Sequence, residues 1–306
     1  MHKIITLFSR KSFQHCQECF DKEWARYAGL RHLGALQTFV LPQEHMEALL
    51  KHVGKAKYMV SENITIKLHA ATDEIPWGVK EIGAPAQWER TKGKGIRVAV
   101  LDTGISRNHP DLKGQVKGGA VLVDSSGGGN GHGTHVAGTI AAAMNNKGIV
   151  GVAPDVELYD VRVFASDGTA QIADIVDGIN WAIENKMHVI NMSFGSSEDS
   201  PVLRHAIAQA AKAGIIMVAS AGNNGGKIEY PAAYKQVIAV GAVDREGKLA
   251  DFSSRGRKLN TVAPGVDITS TWLKKSYRSL DGTSMAAAHV SGIEALKLAR
   301  RQNRRG

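Results

Sequence analysis

The chain has 306 residues, of which 43% are hydrophobic and 22% charged, an ordinary globular balance that fills a sizeable core without covalent staples. No stretch approaches the roughly 18 apolar residues of a membrane span, and two cysteines, Cys16 and Cys19, exclude a disulfide framework. The formal charge of +9 is uneven: residues 1–71 hold ten basic and six acidic groups, the last ten residues hold five basic and no acidic ones, and residues 72–296 hold 23 of each, so the body lacks the basic excess of a nucleic-acid binder.

In chain order, MHKIITLFSRKSF has only a short apolar patch before charge returns. A secretory leader needs about 7–15 apolar residues and a small-residue cleavage site. The sequence therefore predicts a cytoplasmic protein, or one that leaves the cell by another route. The pattern then predicts a strand over KIITLF, a helix over FQHCQECFDKEWARYAG, a strand over ALQTFVL, a helix over QEHMEALLKHVG, and strands over AKYMV and NITIKL. Met46, Leu49, Leu50 and Val53 recur at three and four residues, on one helical face. Alternating β and α within about 70 residues predicts a small ferredoxin-like α+β domain over 1–71. Cys16 and Cys19 fall inside the first helix with no second ligand pair nearby, and read as two helical thiols. The linker HAATDEIPWG, small and polar up to its proline, is the kind of stretch that proteases cut.

From residue 95 the texture changes. Strands are predicted over IRVAVL, GGAVLV, ELYDVRVF, HVINMSF, IIMVAS and VIAVGAV, with amphipathic runs such as IADIVDGINWAIENK and VLRHAIAQAAKAG between them. Continuous Val/Ile-rich strands alternating with helices predict a parallel sheet covered on both faces, a doubly wound α/β domain. In such sheets ligands bind outside the carboxyl ends of the strands.

Asp102, in DTG, is the first polar side chain after IRVAVL; by itself it reads as a turn cap. The loop DSSGGGNGHG leads to His132 and a helix over HGTHVAGTIAAAM. The loop lacks the GK[ST] of a phosphate-binding loop, and His132 and His135 lack the glutamate and the i,i+4 spacing of HExxH. Asn223, in AGNNGG after IIMVAS, either tolerates a left-handed turn or donates its amide to an oxyanion. Ser284, in LDGTSMAAAHVSG, opens a helix. Serine there is usually a cap, yet free N–H groups and the macrodipole at that end also favour developing negative charge. Together, an aspartate, a histidine and a serine at element ends of one domain have the types that nucleophilic catalysis needs. A neutral imidazole takes the serine proton, and a buried carboxylate fixes its tautomer and stabilises the imidazolium.

The motifs VAVLDTGI, NGHGTHVAGTIAA, VINMSFG, AGNNG, FSSRG, VAPG and GTSMAAAHVSG occur in that order, and over about residues 72–299 the chain resembles the subtilisin-like serine proteases. The resemblance implies a serine endopeptidase of subtilisin-like fold, spanning 72–306. It implies Asp102 as the triad acid, His132 as the base, Ser284 as the nucleophile, and Asn223 as the oxyanion-hole amide, with His135 structural. Residues 1–71 resemble the family's propeptide, a folding chaperone and inhibitor of its own protease. The match at IPWG implies a mature chain beginning at Thr72, with Leu68 in an apolar S4 pocket and Ala71 in S1. Polypeptide substrates are implied to lie extended between Gly168, Thr169 and Ala170 on one side and Ser193, Phe194 and Gly195 on the other. Glu229, just before Tyr230-Pro231, falls near the base of S1, where a carboxylate favours Lys or Arg at P1. The resemblance also implies structural Ca²⁺. Its oxygens would come from Asp73, Asp111, Asn145 and the carbonyls of Ala143, Lys147 and Ile149, a set that suits a hard cation. A weaker second cation site is implied near Ala232–Val237. The expected state is a monomer without nucleic-acid or membrane partners.

Two features depart from the family pattern. Ala288 stands where proline is usual, and only 22 residues follow Ser284. Two alternatives to the zymogen reading remain at this stage: a peptidase of reduced activity held by its propeptide, and a non-enzymatic module whose neutral body and basic tail hold a partner.

Overall fold

A two-residue period builds the first sheet. Strand β1 (His2–Leu7) turns Ile5 and Leu7 inward, where Phe13, Cys16, Phe39, Leu41, Leu49 and Val53 meet them. In the computed structural model, residues 2–22, 29–63, 72–123 and 129–304 are described, the side chain of Phe20 excepted. The chain divides into two compact units, Met1–His69 and Ala70–Gly306. The expected cleavage boundary, with Leu68 and Ala71, lies outside the described residues, as do the end of the first predicted helix and residues 124–128 of the glycine-rich loop.

In the first unit β1 is followed by α1 (Arg10–Lys22), β2 (Arg31–Leu33), β3 (Thr38–Pro42), α2 (Met46–Val53) and β4 (Tyr58–Glu62). The sheet order is β2-β3-β1-β4, antiparallel throughout, which is the ferredoxin-like arrangement expected. The predicted strand ALQTFVL starts late. Gly34–Leu36 form a 3-10 turn, and Gln37 takes a left-handed conformation (φ 49°) before the strand can begin at Thr38. Of the predicted strand NITIKL only Asn63 is described, and it lies outside any strand. Cys16 is buried and Cys19 partly so, both unpaired on α1, and burial pushes the Cys16 thiol up to about 11, so it is inert rather than redox-poised.

The second unit opens with short helices α3 (Trp77–Glu81) and α4 (Ala84–Trp88). Then come β5 (Arg97–Asp102), β6 (Val116–Val121), α5 (His132–Ala141), β7 (Glu157–Arg162), α6 (Ile172–Glu184), β8 (Val189–Met192), α7 (Pro201–Lys212), β9 (Ile216–Ser220), β10 (Val237–Val243), β11 (Thr261–Pro264), the hairpin β12 (Ile268–Thr271) and β13 (Tyr277–Leu280), and α8 (Thr283–Gln302). Seven strands form one parallel sheet in the order β11-β10-β9-β8-β5-β7-β6. Alternation along β5 divides the core. Val98 and Val100 pack with the residues of α5 and α8, whereas Ala99 and Leu101 pack with those of α6 and α7. The order reverses at β5, whose neighbours are β7 and β8, so the crevice for a ligand opens at its carboxyl end.

The helices differ at their starts. Helix α6 has a capping box of Gln171 and Asp174, and Ser200 caps α7 by accepting from Leu203 N. Helices α5 and α8 start after Gly131 (φ 99°) and Gly282 (φ 154°), with no side-chain cap. Glycine accepts these angles without the steric cost other residues bear. Side chains from outside each helix take the first N–H groups, Asn130 and Thr103 at α5 and Asn223 at α8, and the partial positive charge of both helix starts faces the crevice.

Candidate active site

Asp102 ends β5 and is 3% exposed. Thr103 N donates to its Oδ1 at 2.7 Å. His132 opens α5 with its Nδ1 at 2.8 and 2.9 Å from Asp102 Oδ1 and Oδ2, so the ring presents Nδ1–H to the carboxylate and keeps Nε2 for another partner. Asn130 Oδ1 accepts from His132 N and fixes the start of the helix. Burial favours the neutral ring, but the Asp102 charge and hydrogen bond outweigh it and hold His132 above the usual imidazole value.

Ser284 lies in the first turn of α8 and is 7% exposed. Its Oγ donates to Ser193 O at 3.0 Å, and Ser193 Oγ donates to Ser284 O at 3.0 Å. Ser193 in turn lines a hollow of about 210 Å³ with Asp102, His132, Phe164 and Gly168. The structure thus pairs Asp102 with His132 and ties Ser284 to the wall of the same hollow; the hydroxyl's hydrogen bond goes to Ser193. Catalytic hydrogen bonds are often loose without substrate and tighten in the complex. Asn223 Oδ1 accepts from Thr283 N (2.9 Å) and Thr283 Oγ1 (2.8 Å), and its Nδ2 and Ser284 N both lie near Gly282, 3.6 and 3.7 Å from where a β-carbon would stand there.

Gly168, Thr169 and Ala170 sit in a turn closed by Ala165 N to Thr169 O (2.9 Å), and Gly168 borders the same hollow as His132. Ser193, Phe194 and Gly195 continue β8, with Phe194 packed on Phe164 at 5.0 Å between ring centroids. Glu229 donates its N–H to Ala221 O at 2.9 Å, and its carboxylate stands between Gly195 and Gly222. His135 is fully buried, its Nε2 at 2.9 Å from Ile268 O and 3.0 Å from Arg278 O. It holds the β12–β13 hairpin, the structural role expected of it.

The residues expected around a cation also gather. Asp73 Oδ1 accepts from Asn145 N (3.1 Å) and Lys147 N (3.0 Å). Asp111 Oδ2 accepts from Ile149 N (3.0 Å) and Tyr277 Oη (2.8 Å), and Ala143 N donates to Asp111 O at 2.8 Å. Asp111 Oδ1 and Asn145 Oδ1 are buried without a hydrogen-bond partner. Two orphaned oxygens in an all-oxygen donor set fit a hard cation such as Ca²⁺. The second suggested cation site fares differently. The hollow beside Ala233, Tyr234 and Val237 is also lined by Lys235, Lys258 and Asn260, with no acidic side chain among them.

Two positioning groups escaped the sequence reading. Asn191 Nδ2 donates to Ser193 Oγ (2.9 Å) and Asn191 Oδ1 accepts from Ser291 Oγ (2.8 Å), a buried relay from α8 to the crevice wall. The signal was an Asn inside the apolar run VINM. Asn224 Nδ2 donates to Glu229 Oε1 at 2.9 Å; nothing in AGNNGG distinguishes its two asparagines.

Residues 93–304 match the sequence profile of the Subtilase family. M-protease of Shouchella clausii (strain KSM-K16) is 49% identical over 227 residues, covering 72% of this chain and 59% of that protein. Subtilisin Savinase of Lederbergia lenta is 49% identical over 227 residues, covering 72% of this chain and 83% of its own. The Major intracellular serine protease of Bacillus subtilis (strain 168) is 48% identical over 239 residues, covering 73% and 75%. The match thus spans less than two thirds of M-protease and more of the other two. Among the described residues no helix is long and apolar enough to cross a membrane.

Proposed function

The chain belongs to the subtilase family, a family of serine endopeptidases, and from that premise we propose that it hydrolyses peptide bonds through an acyl-enzyme formed on Ser284. The observation that carries this reading is the Asp102–His132 pair, set in the same hollow as Ser193, which is hydrogen-bonded both ways to Ser284. His132 Nε2 takes the Ser284 proton as Oγ attacks the carbonyl carbon. Asp102 keeps the ring in that tautomer and stabilises the imidazolium. The imidazolium then gives its proton to the leaving amine, and water repeats the sequence on the ester. Substrate runs extended along Gly168–Ala170 and Ser193–Gly195. A sulfonyl fluoride tests the reading directly: it labels Ser284 and no other residue, and a chain that remains unlabelled while folded is a binding module instead.

The Asn223 amide and Ser284 N–H form the oxyanion hole. Their support is the position of Asn223, whose carbonyl is anchored on Thr283 so that its amide is free. Asn223→Ala is expected to lower kcat by about 10²–10³ with little change in KM, since the donor acts on charge that appears only after attack. Steady-state kinetics on one peptide checks this; a rise confined to KM refutes it.

Residues 1–71 act as an inhibitory propeptide that the chain removes from itself at the 71/72 bond. The ferredoxin-like order of its sheet and the linker composition support this reading. The protein works as a monomer in the cytoplasm; the Bacillus subtilis relative, by its name an intracellular serine protease, supports that compartment.

Calcium, when bound, supplies a structural crosslink between Asp73, Asp111 and the 143–149 loop. Asp111 and Asn145 would hold it through the two orphaned oxygens, with Asp73 and the carbonyls of Ala143, Lys147 and Ile149. At calcium concentrations 100-fold above Kd the linkage is about 2.7 kcal/mol, or roughly 5–10 °C in Tm for a unit of this size. Chelation is expected to lower Tm by that amount, and Asp111→Asn to remove the response. Equal melting with calcium and with chelator would overturn the assignment.

A further inference from the structure

An acid occupies the slot beside the nucleophile. Its walls are two segments, 193–195 after β8 and 221–223 after β9. Glu229 is sewn between them: its own N–H donates to Ala221 O, and Tyr230 exchanges both backbone hydrogen bonds with Ser196, at 2.8 and 2.9 Å. The side chain therefore rises from the floor of the slot. A β-carbon on Gly222 would stand 2.7 Å from Glu229 Cδ, and one on Gly195 2.9 Å from Glu229 Cβ. The glycines are what make room for the acid.

The carboxylate is held in place. Asn224 Nδ2 donates to Oε1 at 2.9 Å, and Asn224 Oδ1 is itself fixed by Gly226 N (2.8 Å) and Ser254 Oγ (3.0 Å). Among the described residues no cation forms a salt bridge with Glu229, although Glu229 shares the lining of a cavity of about 590 Å³ with Lys227, Arg255, Arg257 and Lys258. Arg255 is committed to the carbonyls of Ser253, Ala250 and Asp251, and Lys258 lies over the Tyr230 ring at 5.9 Å from its centroid. Burial raises the Glu229 carboxyl above its usual value, the signature of a half-buried charge without a countercharge.

We propose that Glu229, positioned by Asn224, makes this slot a receptor for the cationic side chain of Lys or Arg at P1, the substrate residue on the acyl side of the cut bond. The inference rests on the endopeptidase reading above. An ammonium or guanidinium entering between Gly195 and Gly222 gives the carboxylate its missing partner. A Leu or Phe side chain must push the acid off Asn224 or bury it unpaired, both unfavourable. Alanine reaches neither and ranks between. Oε1 is taken by Asn224, so Arg cannot form the two-oxygen fork that usually favours it over Lys, and the two are cut at similar rates.

The test uses the full chain and peptides that differ only at P1. Lys and Arg are expected to exceed Leu and Phe by tenfold or more in kcat/KM, and Glu229→Gln to bring that ratio near one. Asn224→Ala lowers the same ratio without touching the ionisable group, which a purely structural role would not do. Leu cut as fast as Arg by the parent, or an unchanged ratio in Glu229→Gln, overturns the proposal. A second measurement does not depend on turnover: benzamidine, a small aryl cation, is titrated calorimetrically into Ser284→Ala with and without Glu229→Gln. Binding that weakens at least tenfold on loss of the acid supports the receptor even in a chain that cuts nothing. Equal binding refutes it while leaving the endopeptidase reading standing.

Discussion

Replacing Ser284 by alanine is expected to lower peptide hydrolysis by about a million-fold and to leave the 306-residue chain at full mass, while the parent loses about 71 residues. The size of the effect follows from the chemistry. A backbone amide reacts with water only slowly, and the serine route splits the reaction into two steps served by one base. In the proposed mechanism His132, held by its Nδ1 contact with Asp102, serves that task, and without Oγ it would have nothing to deprotonate except loosely placed water. What remains, roughly 10³–10⁴ over the uncatalysed rate, comes from the oxyanion donors and binding alone. Asp102→Asn acts at a different point and costs about 10⁴, because an amide at 2.8 Å can hold the wrong tautomer, with its lone pair on Nδ1. Intact mass followed over time, parent beside Ser284→Ala, reads both turnover and self-processing. A variant trimmed at the parent's rate would place the nucleophile elsewhere or bring in a second protease. A parent that is never trimmed would turn attention to the Ser284 rotamer, whose hydroxyl must leave Ser193 O for His132.

The sequence carried the peptidase unit further than the small one. Strands β5, β8, β9 and β10 are mostly apolar runs because both faces are covered, and their ends locate Asp102, Asn223 and the segment 193–195. The missed elements have another cause. Strand β11 and the hairpin β12–β13 are short and mixed in polarity, and the hairpin is fixed by α5 rather than by its own pattern. Ser270 Oγ donates to His135 O, Thr271 Oγ1 to Thr134 O, and His135 reaches both strands. Such polar contacts span more than 130 residues and leave no periodic trace. The Asn191 relay and the Asn224 clamp were hidden for the same reason, since each depends on partners brought in by the fold. Ala288, where the family has proline, lies fully buried in a continuous α8, so the substitution is absorbed without a break in the helix that carries Ser284.

Acidification from pH 7 to pH 4 is expected to destabilise the peptidase unit by several kcal/mol, through two buried histidines outside the Asp102–His132 pair. His135 and His289 are both fully buried. His135 Nε2 serves two carbonyls, and its Nδ1 makes no hydrogen bond; His289 Nδ1 meets Met285 O at 2.8 Å, and its Nε2 makes none as it stands. A proton added to His135 would leave its Nδ1–H without an acceptor, and a charged His289 would be wholly buried with only the Met285 and Pro264 carbonyls to offset the lost hydration. Burial therefore lowers both groups to about 4 from the ordinary 6.5. In the unfolded chain they bind protons near 6.5 and in the folded chain only near 4, so the unfolded state gains protons throughout that window and stability falls as pH falls. At 1.36 kcal/mol per pKa unit each histidine contributes at most about 3 kcal/mol, a large part of the roughly 5–15 kcal/mol that holds a domain folded. His132 does not offset this. Its pKa is raised, so its contribution is already complete below 6.5 and is lost only as pH rises through its folded value. Carboxylates held low, such as Asp167 and Asp267, lose theirs below about 3.8 and mark a separate, more acid step. Urea midpoints of the Ser284→Ala chain between pH 4 and 7 isolate the effect from self-digestion. The midpoint should fall steadily over that range, and His135→Gln and His289→Gln should each flatten the slope even if they lower the midpoint at pH 7. A midpoint unchanged between pH 7 and pH 4.5, or a slope that survives both substitutions, would mean that these rings accept protons without unfolding.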